Sequence, residues 1–344
     1  MTERLLHSRS PLRQFDASHV CCGHRTPLVL RPYQQRQQVA IASRQSSRHN
    51  SVSMAAIPSD IFVMDFDGVI CNTQPELSIS GYKGAQAYWP DVFANVDSAR
   101  KLQVLEALAR VRPVLIRGYE AMIMARLLLE NPASEESILH QWDTVLPEVL
   151  QRWDAHPGQL SAFSDGYRNA SLIKDRHAWT HKNQLFVGVY EALRACEYPW
   201  YVASSKAAHR ISALMGSLLG IDLPPDSPRI FADLVPPEER KLEALRTISQ
   251  RPLVKESKAR MHFIDDRFKT IEAVRQTPEL SGVAVYMAEW GYNTQEERRR
   301  AQHMSGVQLL SLTGFCELLR WGIIMGVDDG CEPAMEEVAA GVAH

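Results

Sequence analysis

Two aspartates that directly follow a short apolar run are the residues best suited to carry chemistry. Asp65 and Asp67 come after the run at residues 61–64, and Gly68 follows them. In an open parallel sheet, ligands gather outside the carboxyl ends of the strands, so both carboxylates are expected to face one cleft. One carboxylate could then act as a nucleophile while the other transfers a proton. The alternative for an isolated pair is that both acids cap the next helix.

Further polar residues occur later in the chain, two groups of them directly after apolar runs: Ser204-Ser205-Lys206, Lys241 and Asp265-Asp266. A hydroxyl and an ammonium after a strand can hold phosphate oxygens, and adjacent carboxylates after a buried strand repel each other unless a cation lies between them. Magnesium prefers carboxylate and water oxygens, so Asp65, the backbone carbonyl of Asp67 and Asp265 or Asp266 form a chemically sensible site. Helix capping, or a surface lysine at a helix start, is the alternative for each group taken alone.

The elements that must position these residues follow an alternating pattern, in which short apolar runs are separated by longer amphipathic stretches. This pattern predicts an α/β domain with a mostly parallel sheet. The predicted strands are 61–64, 200–203, 229–231, 262–264, 283–286 and 307–310. The clearest predicted helices are 99–110, 119–129, 135–153 and 184–196.

About 135 residues separate the first two predicted strands, and most of them show helical patterning. A parallel crossover needs only about a dozen residues, so this stretch is too long to be a simple connection. We therefore expect an α/β core at 57–75 and 184–325, an inserted helical domain at 76–183, and an acidic tail at 326–344.

Taken in chain order, the Asp-x-Asp-Gly, Ser, Lys and Asp-Asp groups closely resemble the four motifs of the haloacid dehalogenase-like superfamily. The resemblance covers about residues 59–325. It implies a Rossmann-like, three-layer α/β/α core, a helical cap domain between the first and second motifs, and bound Mg²⁺. It also implies a phosphatase, because dehalogenases of the superfamily lack the second aspartate and its ATP-driven pumps carry threonine where this chain has Asp67.

By this resemblance, Asp65 forms an aspartyl-phosphate and Asp67 serves first as acid and then as base. The residues expected to bind phosphate are Ser204, Ser205, Lys206 and Lys241, and those expected at the metal are Asp65, Asp67, Asp265 and Asp266. The third motif departs from the usual Lys-Pro, since proline precedes Lys241, and Lys206 is an alternative for the same role. A phosphomutase of the β-phosphoglucomutase type and a catalytically silent binding protein remain alternative functions.

The insert is expected to choose the substrate by closing over the cleft. Arg112, Arg117, Tyr119 and Glu120 are candidates for substrate contact, and helix packing or surface ion pairing is the alternative for each. The stretches 112–120, 263–270 and 289–294 resemble a branch found in cyanobacteria and plastid-bearing organisms. That branch does not specify a substrate beyond a small phosphate monoester such as phosphoglycolate or a sugar phosphate.

Charge is distributed unevenly along the chain. Residues 1–54 hold eight arginines, no lysine and two acids, a net charge of +6, whereas the remainder carries 30 basic and 38 acidic residues, a net charge of −8. An Arg- and Ser-rich, acid-poor start is typical of an organelle transit peptide, which we place at 1–56 and assign to the chloroplast, or alternatively the mitochondrion. The acidic remainder gives no reason to expect nucleic acid. No apolar run is long enough to predict a membrane helix, and the six cysteines lack disulfide or metal-ligand spacing.

Overall fold

A six-stranded parallel sheet forms the centre of the structure, a computed structural model that describes residues 58–325. The sheet order is β5-β4-β1-β6-β7-β8, and each neighbouring pair is parallel. Its strands are β1 (Asp60–Met64), β4 (Trp200–Ala203), β5 (Ile230–Phe231), β6 (Arg260–Asp265), β7 (Ala284–Ala288) and β8 (Val307–Leu310). The strand β1 lies between β4 and β6, so the residues that follow it reach the middle of the sheet edge.

Both faces of the sheet are covered. Side chains alternate along β1, so that Phe62 and Met64 pack into one hydrophobic cluster while Ile61 and Val63 pack into a second cluster on the other face. A strand that is buried on both faces is expected to be apolar throughout, as 61–64 is. The predicted α/β fold with a parallel sheet is therefore confirmed.

Helices make up most of the remaining structure. Seven lie between the first two long strands: α1 (Gln74–Tyr88), α2 (Pro90–Phe93), α3 (Ser98–Arg110), α4 (Glu120–Glu130), α5 (Ser134–Arg152), α6 (Pro157–Lys174) and α7 (Arg176–Thr180). The others are α8 (Val189–Ala195), α9 (Ala208–Leu214), α10 (Pro237–Ser249), α11 (Pro252–Ser257), α12 (Phe268–Arg275), α13 (Gln295–Gln302) and α14 (Leu312–Trp321). Short 3₁₀ or π turns occupy Arg112–Val114, Met215–Leu219 and Pro278–Leu280.

The helices α1–α6 contribute to a third hydrophobic cluster of their own. Tyr82, Leu108, Ile123 and Trp142 come from four different helices and are buried together in this cluster. We call residues 74–183 the insert, because a two-stranded antiparallel sheet joins its two ends, with β2 (Cys71–Asn72) pairing with β3 (Gln184–Leu185). The chain thus enters and leaves the insert through one narrow connection.

The predicted helix at 184–196 is wrong over its first half. Gln184 and Leu185 form β3 instead, and Gly188, with a φ of 82°, precedes α8 in a left-handed conformation that glycine adopts readily. Strand pairing with Cys71 and Asn72 outweighs the helical pattern at these positions. The predicted helix at 135–153 is present but interrupted, because Gln141 departs from helical backbone angles.

The presequence at 1–56 and the tail at 326–344 lie outside the residues that the structure describes. Between residues 58 and 325, Cys71, Cys196 and Cys316 are free thiols. No helix in this range combines the length and apolarity that a membrane crossing requires.

Candidate active site

The carboxyl ends of β1, β4 and β6 open into a cavity of about 670 Å³ that also faces the insert. Asp65, Asp67 and Asp266 line it from the sheet side, while Arg112 and Arg117 line it from the insert. Ser205 and Lys206 complete the wall after β4. The structure thus brings residues of the first, second and fourth motifs to one cavity. Lys241, the candidate for the third motif, lies directly behind the cavity wall.

Lys241 joins the first and last of these groups. Its Nζ donates to Asp65 Oδ2 at 2.6 Å and to Asp265 Oδ2 at 2.6 Å. The lysine is buried in the first half of α10, where it is 1% exposed. Burial alone would lower the pKa of Lys241. The nearby Asp265 and Asp65 raise this pKa by more than burial lowers it, so the net shift is upward. Lys241 is therefore a fixed cation held against the two aspartates.

Three carboxylates lie close enough together to hold one metal ion. Asp65, Asp265 and Asp266 are buried, and each offers an oxygen that lies within 4.8 Å of the others. Burial and the neighbouring Asp265 and Asp65 raise the pKa of Asp266 well above its usual value. Lys241 satisfies Asp65 and Asp265, which leaves Asp266 as the acid without a cationic hydrogen-bond partner. A hard divalent cation such as Mg²⁺ fits this all-oxygen set.

Two glycines allow the chain to approach Asp266 closely. A Cβ on Gly68, whose φ is 83°, would lie 2.0 Å from Asp266 Oδ2, and a Cβ on Gly291 would lie 2.2 Å from Asp266 Cβ. The backbone N–H of Tyr292 donates to Asp266 Oδ2 at 2.6 Å. Gly68 in the Asp-x-Asp-Gly motif is thus needed both for the turn and for packing against the fourth motif.

Asp67 has a different partner from Asp65. Its Oδ1 lies 3.2 Å from Lys206 Nζ, and its side chain is 17% exposed to the cavity. Burial is the main reason that the pKa of Lys206 is lowered, and the nearby Asp67 opposes this shift. The structure therefore separates the two lysines, with Lys241 on Asp65 and Lys206 on Asp67.

None of the three strand-end groups acts as a side-chain cap of the next helix. Ser204 is fully buried and its Oγ accepts from Lys206 N at 3.3 Å, whereas Ala207 occupies the N-cap of α9 without a side-chain hydrogen bond. Arg267 occupies the N-cap of α12, and Thr73 that of α1. The helix-capping alternative therefore does not describe these aspartates and serines.

The four insert candidates fall into two pairs. Arg112 and Arg117 line the cavity, but Tyr119 and Glu120 do not. Tyr119 is buried in the hydrophobic cluster of the insert, and Glu120 Oε2 accepts from Ile116 N at 3.0 Å and Trp142 Nε1 at 3.2 Å. The structure places Tyr119 and Glu120 in the packing of the insert, because their side chains turn into its interior and hold the loop before α4.

Several polar residues of the cavity were not predicted. Arg168 lines it and pairs with the buried Glu76, at 2.5 Å from Nη2 to Oε2, and Arg210 pairs with Asp165 at 2.8 Å. These pairs join residues 92 and 45 positions apart, so no local spacing in the sequence points to them.

Tyr292 is a further residue that was not predicted to belong to the site. Its Oη accepts from the backbone N–H groups of Thr73 and Gln74, at 2.7 and 2.9 Å, and lies 2.9 Å from Asn72 Oδ1. Tyr292 therefore connects the loop after β7 to the start of the insert. Only its position in a stretch that resembles a known branch could have drawn attention to it.

Solved structures that resemble this chain are described as phosphatases and haloacid dehalogenase-like hydrolases. A "predicted phosphatase" from Clostridium acetobutylicum is 10% identical, with a TM-score of 0.43 over 73% of this chain and 94% of its own. A "predicted phosphoglycolate phosphatase" from Haemophilus somnus is 14% identical, with a TM-score of 0.41 over 72% and 92%. A haloacid dehalogenase-like family hydrolase from Streptococcus pneumoniae is 15% identical, with a TM-score of 0.38 over 73% and 93%. No protein-family model and no curated protein matches the sequence.

Proposed function

We propose that this chain is a Mg²⁺-dependent phosphatase of the haloacid dehalogenase-like superfamily that hydrolyses a small phosphate monoester. The observation that carries the proposal is the arrangement at the sheet edge. Asp65 lies at the carboxyl end of the central strand and is hydrogen-bonded to Lys241. Its carboxylate is close enough to those of Asp265 and Asp266 for the three to bind one metal ion. Asp67 stands two residues further on and faces the same cavity.

In the first half of the reaction, a carboxylate oxygen of Asp65 attacks phosphorus and the bond from phosphorus to the ester oxygen breaks. Lys241 offsets the charge of the attacking carboxylate. After the neighbouring strand, Ser205 lines the cavity, where its hydroxyl can donate to a phosphate oxygen, and Ser204 is fully buried beside it. Asp65, Asp266 and the backbone carbonyl of Asp67 would hold Mg²⁺, which would supply positive charge that reduces the repulsion between carboxylate and phosphate.

Asp67 handles the protons in both halves of the reaction. In its acid form it protonates the departing alkoxide, and as a carboxylate it then accepts a proton from the water that attacks the aspartyl-phosphate. That attack releases inorganic phosphate and restores Asp65. Lys206, 3.2 Å from Asp67 Oδ1, holds the side chain of Asp67 in position for both transfers.

The insert closes one side of the cavity, which limits the substrate to a molecule that fits about 670 Å³ together with its phosphate. Phosphoglycolate and sugar phosphates are small enough to fit in this space. The Arg-rich segment at 1–56 supports a location in the chloroplast, with the mitochondrion as the alternative.

The test is release of inorganic phosphate from a panel of small phosphate monoesters by the full chain. We expect turnover that requires Mg²⁺, stops when a chelator is added, and is abolished by Asp65→Asn. Asp143→Asn is the matched control, because Asp143 is exposed and its ion pair with Lys269 is at the surface. Isomerisation of a sugar phosphate that needs a bisphosphate primer would indicate the phosphomutase instead, and inactivity in both assays would contradict the proposal.

A further inference from the structure

The cationic side chains that line the cavity differ in whether they have a carboxylate partner. Four of them form ion pairs, namely Arg168 with Glu76, Arg210 with Asp165, Lys206 with Asp67, and Arg267 with Glu238. Arg112 and Arg117 form no ion pair among residues 58–325. The charge of Arg112 does oppose the upward pKa shift of Asp266, and that of Arg117 opposes the upward pKa shift of Glu120. Both come from the turn and loop between α3 and α4, on the insert side of the cavity.

Arg112 is the more unusual of the two because it is buried. The residue is 8% exposed, its Nη1 donates to the carbonyl of Leu115 at 3.2 Å, and its Nε has no hydrogen-bond partner within the described part of the chain. A buried charge whose donors are only partly satisfied is costly, so such groups are normally paired or bind a ligand. An anionic group in the cavity would provide the missing partner.

The guanidinium of Arg112 is also held in place. It lies 4.0 Å above the ring of Tyr292. Tyr292 is itself fixed by two hydrogen bonds, one between its Oη and the chain at the start of the insert and one from its backbone N–H to Asp266. Stacking on an aromatic ring fixes the plane of a guanidinium, and the planar group matches the two oxygens of a carboxylate or phosphate. Arg112 is therefore positioned beside the reaction centre without belonging to any of its four motifs.

The transferred phosphate already has its own set of groups. Asp65, Ser204 and Lys241 all belong to core elements at or behind the sheet edge. Asp67 would protonate the ester oxygen, so the remainder of the substrate extends away from Asp65 into the part of the cavity lined by the insert. Arg112 and Arg117 lie in that part, where they would meet the alcohol portion of the ester.

We infer that the substrate carries a second anionic group near the phosphate ester, either a carboxylate or another phosphate, and that Arg112 binds it. Arg117, which is exposed at the cavity, contributes a weaker attraction because solvent screens its charge. The inference rests on the proposed phosphatase function and narrows its substrate to phosphorylated acids or bisphosphates.

The experiment compares matched pairs of esters that differ in the second anion. One pair is 2-phosphoglycolate and 2-hydroxyethyl phosphate, and the other is a sugar bisphosphate and the corresponding monophosphate. We expect the wild-type chain to favour the acidic member of at least one pair by about 10- to 100-fold in kcat/KM, the scale of one hydrogen-bonded charge. The pair that shows the preference identifies the second anion as carboxylate or phosphate.

Arg112→Gln should remove that preference, because kcat/KM should fall far more for the ester with the second anion than for the ester without it, and far more than inhibition by inorganic phosphate weakens. Arg112→Lys keeps the positive charge but loses the planar guanidinium, so it should retain part of the preference. It also provides a second variant to test if Arg112→Gln fails to fold. Arg110→Gln is the matched control, since Arg110 lies two residues earlier and is an exposed partner of Glu135.

Three results would overturn the inference. An Arg112→Gln variant that loses the same factor on both esters and on phosphate inhibition would place Arg112 on the transferred phosphate. If the wild-type enzyme hydrolyses esters with and without the second anionic group equally well, the inference that the substrate carries such a group is refuted, while the phosphatase function stands. If the wild-type chain hydrolyses no ester, the proposed function fails and the inference fails with it.

Discussion

The two sides of the cavity carry opposite charge. At the sheet edge, the four aspartates Asp65, Asp67, Asp265 and Asp266 have Lys241 and Lys206 as ion-pair partners. On the insert side, Arg168 pairs with Glu76, whereas Arg112 and Arg117 form no ion pair within residues 58–325. The acidic side is therefore suited to a cation and the basic side to an anion, and a phosphate ester bound with Mg²⁺ satisfies both.

The two sides also differ in what their ion pairs do. Asp67 and Lys206 lie at the cavity surface and hold groups that take part in the reaction, whereas Glu76 and Arg168 tie two helices of the insert together. Substitution of Asp67 at the cavity surface should mainly reduce the rate, and substitution within the insert should mainly reduce stability. Lys241, which is buried behind the acidic side, should affect both.

After the loss of Asp65, the largest effect is expected for Asp67→Asn. Loss of the group that protonates the leaving oxygen should reduce kcat by about 10²–10⁴-fold, the usual contribution of general acid–base catalysis. The melting temperature should change little, because the side chain is partly exposed and asparagine has nearly the same shape as aspartate. Steady-state kinetics beside a melting curve measures both quantities, and an unchanged kcat would remove Asp67 from the mechanism.

Lys241→Met should affect stability as well as rate. It leaves Asp65 and Asp265 buried beside Asp266 without their shared cation, and breaking a buried pair in this way costs about 3–5 kcal/mol. Denaturant unfolding should show this loss, and added Mg²⁺ should restore more stability to the variant than to the wild-type chain. Lys269→Met, at an exposed pair, is the control. Equal stabilisation of both proteins by Mg²⁺ would argue against a metal at these three carboxylates.

Glu76→Gln should destabilise the insert with a smaller effect on turnover. Burial raises the pKa of Glu76, but the guanidinium of Arg168 and its hydrogen bonds reverse this and lower it from 4.5 to about 2. A shift of this size corresponds to about 3 kcal/mol of stability. Because the folded pKa is the lower one, this contribution is complete above pH 4.5 and is lost as the pH falls towards 2.

Unfolding of wild-type and Glu76→Gln chains across this pH range measures the effect. The difference between them should be largest near neutral pH and should shrink below pH 4.5. Glu130→Gln, which breaks an exposed pair with Arg126, should cost about 1 kcal/mol or less. A loss in Glu76→Gln that does not depend on pH would contradict the assignment of the stabilisation to the ionised carboxylate.

The sequence predicted the acidic side of the cavity well because its residues directly follow strands. Apolar runs such as 61–64 mark the strands, and in a parallel sheet their carboxyl ends meet at one edge, so Asp65 and Asp265 are brought together by topology alone. Lys241 lies on a helix and was predicted only from its order among the motifs. Its contact with Asp65 joins residues 176 positions apart, which no local pattern specifies.

The basic side was predicted less well because its contacts arise from packing between helices. Arg112 and Arg117 were found through a resemblance, but the same reasoning included Glu120, which turns into the interior of the insert towards Trp142. Arg168 was missed, since helical periodicity shows that a face is buried but not which polar group it meets. Tyr292 was missed because it lies in the loop after β7, where no periodic pattern applies. The two-residue strand at Gln184–Leu185 is likewise too short for a period-two pattern to be recognised.

The most direct test of the account is to identify the residue that carries phosphate during turnover. The enzyme is mixed with a substrate and Mg²⁺, quenched in acid within one turnover, and reduced with borohydride, which converts an aspartyl-phosphate to homoserine. Mass spectrometry of the digested chain should then find homoserine at position 65 in the wild-type enzyme and not in Asp65→Asn. Turnover without homoserine at that position, or with homoserine at Asp67 instead, would contradict the central claim that Asp65 is the nucleophile.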